Sequence, residues 1–209
     1  MKNFIFDFDG TLVDSMPVFG QAVKDIMDES GVAYGTDLIK TVTPLGYNGC
    51  AEHLVSLGLE GPCDRVVALM NAKMQMAYET TIPEKPTVRE TLLELKRRGH
   101  CLNVLTASPH SIFEPCLKRL GILDLFDNLW SCDDFGTTKA DPEIYRMAAR
   151  RLSTDVGEIV FVDDNLGACT TARSAGVTVM AVYDESSKEY ESEMRAVCDG
   201  YIYSFGELL

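Results

Sequence analysis

Two acidic residues, Asp7 and Asp9, stand at the end of a short apolar run near the start of the chain. The run covers residues 4–6, and a Gly-Thr pair after the second acid breaks it. In open α/β sheets, ligands bind just beyond the carboxyl ends of the strands. Two carboxylates at such a place suit a divalent metal and phosphoryl transfer, with one acid as nucleophile and the other as proton donor.

The same string, Asp-x-Asp-Gly, also occurs in turns and in calcium-binding loops. A calcium loop requires a Glu at its twelfth position, and the twelfth residue counted from Asp7 is Val18. The calcium loop is therefore excluded, whereas a turn without chemistry stays open for this motif taken alone.

A hydroxyl group follows a second apolar run. Thr106 comes directly after residues 102–105 and precedes a predicted helix start at Pro109. A hydroxyl at a strand end, beside the free backbone N–H groups of a helix start, can bind a phosphate oxygen. Thr106 and the next residue, Ala107, are therefore candidate phosphate-binding residues, although Thr106 alone also fits a simple helix cap.

A lysine and two further acids complete the set. Lys139 precedes another predicted helix, and Asp163 and Asp164 follow the apolar run 159–162. Adjacent carboxylates repel each other unless a cation or hydrogen bonds compensate. Each feature alone fits a surface lysine or a turn. Together they predict an acidic pocket that binds Mg²⁺ and holds a phosphate at two anchors.

The elements that must position these residues are visible as apolar runs. Strand-like runs lie at residues 4–6, 102–105, 128–131, 159–162 and 177–182, with a weaker one at 201–203. Helix-like segments lie between most of them. This alternation predicts an α/β core with a doubly wound, mostly parallel, Rossmann-like sheet.

One long interval lacks strand-like runs. It contains four predicted helices, at residues 18–29, 36–41, 49–57 and 63–79. We therefore expect an inserted all-helical cap domain over residues 14–84, with the α/β core domain formed by residues 1–13 and 85–209. The Gly-containing segment 43–49 reads either as an ordinary connection between helices or as a loop that helps to set specificity.

The amino-acid composition argues against several classes of binding partner and metal. Lysine and arginine number 19 against 32 acidic residues, so the net charge is −13, and we expect neither a nucleic-acid nor a membrane partner. Seven widely spaced cysteines without a C-x-x-C motif predict reduced thiols, and few histidines disfavour zinc. With no transmembrane run and no signal-peptide pattern, we expect a cytoplasmic protein.

The chain resembles the haloacid dehalogenase superfamily, which has four motifs in a fixed order. The four matching motifs here are Asp7 with Asp9, then Thr106, then Lys139, and last the Asp163–Asp164 pair. The helical insert between the first and second motifs is similar to the cap of its subfamily I. Within the superfamily, the chain looks most like the phosphoglycolate-phosphatase-like proteins. The resemblance is specific for fold and chemistry, and weak for the substrate.

The resemblance also implies roles. Asp7 matches the nucleophile that becomes an aspartyl phosphate. Asp9 matches the general acid, and its backbone carbonyl would face Mg²⁺. Thr106 and Lys139 match the residues that hold the phosphate.

The metal-binding acids match less completely. Asp164 corresponds to the direct metal ligand, and Asp163 to a second acid that acts directly or through water. Many relatives carry a Gly at position 163 and an Asp at position 168, where this chain has Ala168.

The expected function is Mg²⁺-dependent hydrolysis of a small phosphate monoester, such as phosphoglycolate, a sugar phosphate or a nucleotide. The partner would be a small phosphorylated metabolite, and the enzyme a monomer or small homo-oligomer. The main alternatives are a sugar-phosphate mutase of the β-phosphoglucomutase type and a non-enzymatic phosphate-binding protein. The mutase is disfavoured because residues 15–21 contain no His, and a phosphonate hydrolase stays a weaker alternative.

Overall fold

The centre of the fold is one six-stranded sheet. The computed structural model describes residues 2–209. The strands are β1 (Asn3–Phe6), β2 (Cys101–Thr106), β3 (Asn128–Ser131), β4 (Ile159–Asp163), β5 (Thr178–Val182) and β6 (Gly200–Ile202). Their order is β3-β2-β1-β4-β5-β6, and each neighbouring pair is parallel. This is the strand order of a doubly wound Rossmann sheet, so the predicted fold class is confirmed.

Strand β1 lies between β2 and β4, and all four of its residues are buried. Ile5 packs into the core cluster that also contains Leu105 and Phe161. Phe4 and Phe6 point to the opposite face, where their rings stack at 5.9 Å between centroids. A strand covered on both faces is expected to be apolar throughout, which explains the unbroken run that precedes Asp7.

Within residues 2–209, five α-helices belong to the α/β part of the chain. They are α5 (Val88–Arg97), α6 (His110–Arg119), α7 (Glu143–Arg151), α8 (Leu166–Ser174) and α9 (Glu191–Val197). The expected helix start at Pro109 is one residue early, because Pro109 has an extended ψ of 155° and occupies the N-cap position before His110.

Four further helices form an all-helical segment. They are α1 (Met16–Glu29), α2 (Leu38–Val42), α3 (Gly46–Ser56) and α4 (Cys63–Thr80). Helix α4 packs against both α1 and α3, with Val23 and Met70 fully buried. The segment 43–49 is not an open loop: a 3-10 turn at Thr43–Leu45 leads directly into α3. A role of this segment in specificity stays a prediction.

Contacts divide the chain into two compact units. One comprises Met1–Asp14 and Pro83–Leu209, and the other comprises Ser15–Ile82. That the second unit acts as a cap stays a prediction from the sequence. Over the described residues, no helix is both long enough and apolar enough to cross a membrane, and all seven cysteines are free thiols.

Candidate active site

Three acids meet where the strand order of the sheet reverses. Asp7 follows β1, and its backbone N–H donates to Val162 of the neighbouring strand β4 at 2.9 Å. Asp163 ends β4, and Asp164 follows it. The chain winds in opposite directions from β1 and β4, and such a reversal opens a crevice at the carboxyl ends of the strands. Sequence positions far apart are therefore brought together at the usual ligand-binding place of this fold.

The three carboxylates form a compact cluster. One oxygen from each of Asp7, Asp163 and Asp164 lies within 4.8 Å of the others, and all three residues are buried. Oxygen ligands from carboxylates are those preferred by Mg²⁺. The donor set fits a divalent cation, because a bound cation would offset the mutual repulsion of three buried acids this close together.

A single lysine joins two members of this cluster. The Nζ atom of Lys139 lies 2.7 Å from Oδ1 of Asp7 and 2.8 Å from Oδ2 of Asp163. Its backbone carbonyl accepts a hydrogen bond from the Tyr145 hydroxyl at 3.2 Å, which fixes the segment before α7. Burial lowers the pKa of Lys139, but the two carboxylates outweigh it and hold the pKa well above its usual value. Lys139 therefore stays charged.

Burial is the main cause of the raised pKa values of Asp7 and Asp164. It raises the pKa of Asp7 to about 7, although Lys139 opposes this shift. The pKa of Asp164 is raised well above its usual value by burial first and by Asp163 and Asp7 next. A cation bound among these groups would favour their ionised forms, since an opposite charge nearby lowers a carboxyl pKa.

Asp163 and Asp164 differ in their hydrogen bonds. Both oxygens of Asp163 accept strong donors: Oδ2 from Lys139 at 2.8 Å and Oδ1 from the Asn165 backbone at 2.7 Å. Asp164 Oδ1 accepts from the Thr11 hydroxyl at 2.8 Å. The two adjacent acids are therefore held by different parts of the chain.

Asp9 lies outside the three-acid cluster and is partly exposed. Its Oδ2 accepts a hydrogen bond from the Ser108 hydroxyl at 2.7 Å. The Ser108 backbone N–H in turn donates to Oγ1 of Thr106 at 3.0 Å. Thr106 is buried at the end of β2, whereas Ala107 is exposed. The end of β2 is thus tied to Asp9 through Ser108.

Ser108 and Thr11 make hydrogen bonds in the site, although neither was predicted from the sequence as a site residue. Ser108 directly precedes the predicted helix start at Pro109, and Thr11 belongs to the Gly-Thr pair that breaks the first apolar run. In the structure they orient Asp9 and Asp164, respectively. The available signal was a hydroxyl residue placed within two positions of a predicted site residue in each case.

Comparison with known families gives one model that matches most of the chain. The model is described as haloacid dehalogenase-like hydrolase, and it matches residues 1–176. These residues include all seven of the predicted site residues.

The individual relatives share less than a third of their aligned residues with this chain. A pyrophosphatase, PpaX of Bacillus velezensis, is 29% identical over 180 residues, which cover 85% of this chain and 81% of the relative. A phosphoglycolate phosphatase of Nitrosospira multiformis is 27% identical and is covered to 93%, with 99% of this chain matched. A crystal structure from Thermotoga maritima, provisionally described as a beta-phosphoglucomutase, superimposes with a TM-score of 0.81 at 24% identity. That match covers 100% of this chain and 97% of the other, and it shows a shared fold.

Proposed function

The chain belongs to the haloacid dehalogenase-like hydrolases and is a phosphatase, and we propose that it hydrolyses a small phosphate monoester with Mg²⁺ through an aspartyl phosphate on Asp7. The observation that supports this most strongly is Lys139, which pairs with Asp7 and Asp163 beside Asp164. A lysine in this position restrains the nucleophile and leaves a positive charge where a phosphate would bind.

The reaction has two steps. An ionised oxygen of Asp7 attacks phosphorus, forming a new oxygen–phosphorus bond while the bond to the leaving oxygen breaks. Asp9 donates its proton to that leaving oxygen. In the second step Asp9, now ionised, takes a proton from water as the water attacks the phosphorus of the aspartyl phosphate. Inorganic phosphate leaves, Asp7 is regenerated as a carboxylate, and Asp9 regains its proton.

The metal would be held by Asp7 and Asp164, with the backbone carbonyl of Asp9. Bound there, it would neutralise charge between the anionic nucleophile and the anionic phosphate. We assign direct coordination to Asp164 rather than Asp163, because both oxygens of Asp163 already accept from Lys139 and Asn165. Asp163 then acts mainly by holding Lys139, or reaches the metal through water.

The phosphate would be held by Thr106, Ala107 and Lys139. The hydroxyl of Thr106 accepts from Ser108 and can still donate its own hydrogen to a phosphate oxygen. Ala107 is exposed at the end of β2 and offers a backbone N–H. The positive charge of the Lys139 ammonium group is required to bind an anionic phosphate, since the chain carries a net charge of −13 and repels anions at long range.

The substrate class is a small phosphorylated metabolite. Phosphoglycolate, sugar phosphates and nucleotides are the first candidates, and the pyrophosphatase relative adds pyrophosphate to the set. We place the enzyme in the cytoplasm, in agreement with its free thiols, as a monomer or small homo-oligomer.

The proposal is tested by measuring phosphate release from a panel of these compounds, with Mg²⁺, with a chelator, and with Asp7→Asn. We expect release that requires Mg²⁺ and is abolished by the substitution. Isomerisation of a sugar phosphate without net phosphate release would favour the mutase instead. Binding of phosphate compounds without any turnover would favour a non-enzymatic role.

A further inference from the structure

A second lysine that is mostly buried, Lys85, lies next to the Asp9–Gly10 segment of the α/β unit. Lys85 belongs to the segment that begins at Pro83, and its backbone N–H donates to Leu12 at 3.0 Å. The Asp14 backbone N–H donates to Pro83 at 3.0 Å, so the two segments run side by side. The Lys85 backbone is therefore fixed a few residues after Asp9.

The side chain of Lys85 uses all three of its donors. Its Nζ atom donates to the carbonyl of Gly10 at 2.6 Å, to the carbonyl of Tyr183 at 2.8 Å, and to Oδ2 of Asp184 at 2.8 Å. The side chains of Lys85 and Asp184 are only 13% and 4% exposed. Oδ1 of Asp184 is held by the Ser186 backbone and hydroxyl, at 2.9 Å and 2.6 Å. The pair is thus buried and fully hydrogen-bonded, which is the condition under which a buried ion pair holds its geometry.

The carbonyl of Gly10 accepts a hydrogen bond from Lys85, and the Cα side of Gly10 packs directly against the Asp164 carboxylate. A Cβ atom at Gly10 would lie 2.4 Å from Oδ2 of Asp164, and the φ of Gly10 is +74°. The next residue, Thr11, donates its hydroxyl to Oδ1 of Asp164 at 2.8 Å. The position of this carboxylate therefore depends on the Gly10–Thr11 backbone.

Lys85 also compensates the charge of Asp184, whose side chain is only 4% exposed. The lysine thus has two effects: it fixes the Gly10 backbone that packs on Asp164, and it neutralises an acid in the loop after β5.

We infer that Lys85 and Asp184 form a positioning pair for the metal ligand Asp164, with Lys85 tying Gly10 to the loop after β5. This inference rests on the proposed function, in which Asp164 binds Mg²⁺. Groups that orient a metal ligand are typically worth about 10-fold to 100-fold in metal affinity. Lys85 does not touch substrate, so its effect is expected on Mg²⁺ binding before any effect on the chemical step.

The test is the dissociation constant of Mg²⁺, measured by calorimetry on the folded, metal-free protein and its variants. Lys85→Met is the informative variant because a purely electrostatic effect and a loss of positioning would change the Mg²⁺ affinity in opposite directions. Removing a positive charge near a cation site tightens Mg²⁺ binding if long-range charge alone acts. Loss of positioning weakens it, by about 10-fold or more. Lys188→Met is the matched control, since Lys188 pairs with Glu185 on the exposed surface a few residues from Asp184.

We expect weaker Mg²⁺ binding in Lys85→Met and wild-type affinity in Lys188→Met. Unchanged or tighter binding in Lys85→Met would overturn the inference, even if the variant were less stable. If Lys85→Met does not fold, Lys85→Gln is judged by the same criterion.

The Mg²⁺-binding test of the Lys85–Asp184 pair can be distinguished from the phosphate-release test of the proposed function. A wild-type protein that binds Mg²⁺ but releases no phosphate would contradict the proposed function and leave the comparison of variants valid. A wild-type protein that does not bind Mg²⁺ would overturn the inference.

Discussion

The Nζ atom of Lys139 lies 2.7 Å from Oδ1 of Asp7, so the proposed nucleophile is paired with a largely buried ammonium group. The same ammonium group reaches Asp163 at 2.8 Å. Lys139 is therefore the charge that makes this concentration of acids tolerable in the folded state.

Lys139→Met is expected to destabilise the metal-free protein, because it leaves buried carboxylates without their partner. Removing one member of a buried ion pair costs roughly 3–5 kcal/mol. Urea unfolding with a chelator present measures this loss in the free energy of unfolding. Lys96→Met is the control, since the Lys96–Asp127 pair is about a third exposed and such pairs are worth about 1 kcal/mol or less. Equal losses in the two variants would show that Lys139 does not compensate the acidic cluster.

Asp164→Asn and Asp163→Asn are expected to differ in their response to Mg²⁺. Asp164→Asn removes a proposed direct ligand, so added Mg²⁺ should no longer raise the melting temperature. Asp163→Asn should retain part of that rise, because its carboxylate mainly holds Lys139. Thermal unfolding with and without Mg²⁺ makes the comparison. If Asp163→Asn loses the rise and Asp164→Asn keeps it, the assignment of the direct ligand is reversed.

Ser108→Ala is expected to lower kcat with little change in KM, because the Ser108 hydroxyl orients the proposed general acid Asp9. A full general acid contributes roughly 10²–10⁴-fold, so a loss of its orientation should cost at least about 10-fold. Steady-state kinetics on the best substrate of the panel measures it. Ser111→Ala removes an exposed hydroxyl from the first turn of α6 and should behave as wild type. A rise in KM alone would mean that Ser108 serves binding rather than catalysis.

His110 is expected to make stability depend on pH. Burial lowers its pKa, but hydrogen bonds to Glu114 and Asp134 outweigh this and raise the pKa above its ordinary value. A raised histidine pKa means that the folded state binds the proton more tightly. The added stability is full below about pH 6.5 and is lost as pH rises through the folded pKa.

The comparison for this prediction is wild type against His110→Gln. The difference in their free energies of unfolding should shrink as the pH rises above about 6.5, through the raised pKa of the folded state. The imidazole is 41% exposed, so solvent screening keeps the effect small. A difference that stays constant over this range would show that the His110 charge does not contribute.

The strands and the acids after them were predictable because their signals are local. The apolar run before Asp7 reflects the burial of β1 on both faces, and the run before Asp163 reflects the same for β4. The predicted bounds differ by one residue at the start of β5, where Val177 lies outside the strand, and at the end of β6, where Tyr203 does. A single apolar residue beyond a strand looks the same in sequence as one within it.

The supporting contacts of the site were not predictable from the sequence. Thr11 and Asp164 are 153 positions apart, and Ser108 and Asp9 are 99 apart. Such hydrogen bonds follow from the order of the strands and from loop conformation, and they leave no periodic pattern in the chain. The Lys85–Asp184 pair is hidden for the same reason, because both residues look like ordinary charged loop positions.

The most direct test of the central claim uses Asp9→Asn with 4-nitrophenyl phosphate and Mg²⁺. Nitrophenolate leaves without needing a proton, so Asp7 should still be phosphorylated, whereas water attack on the aspartyl phosphate should stall without Asp9. The account predicts a burst of one nitrophenolate per protein molecule, with the mass of one phosphoryl group added to the peptide that contains Asp7. Nitrophenolate release with no phosphoryl group on Asp7, or full turnover by Asp7→Asn, would contradict it.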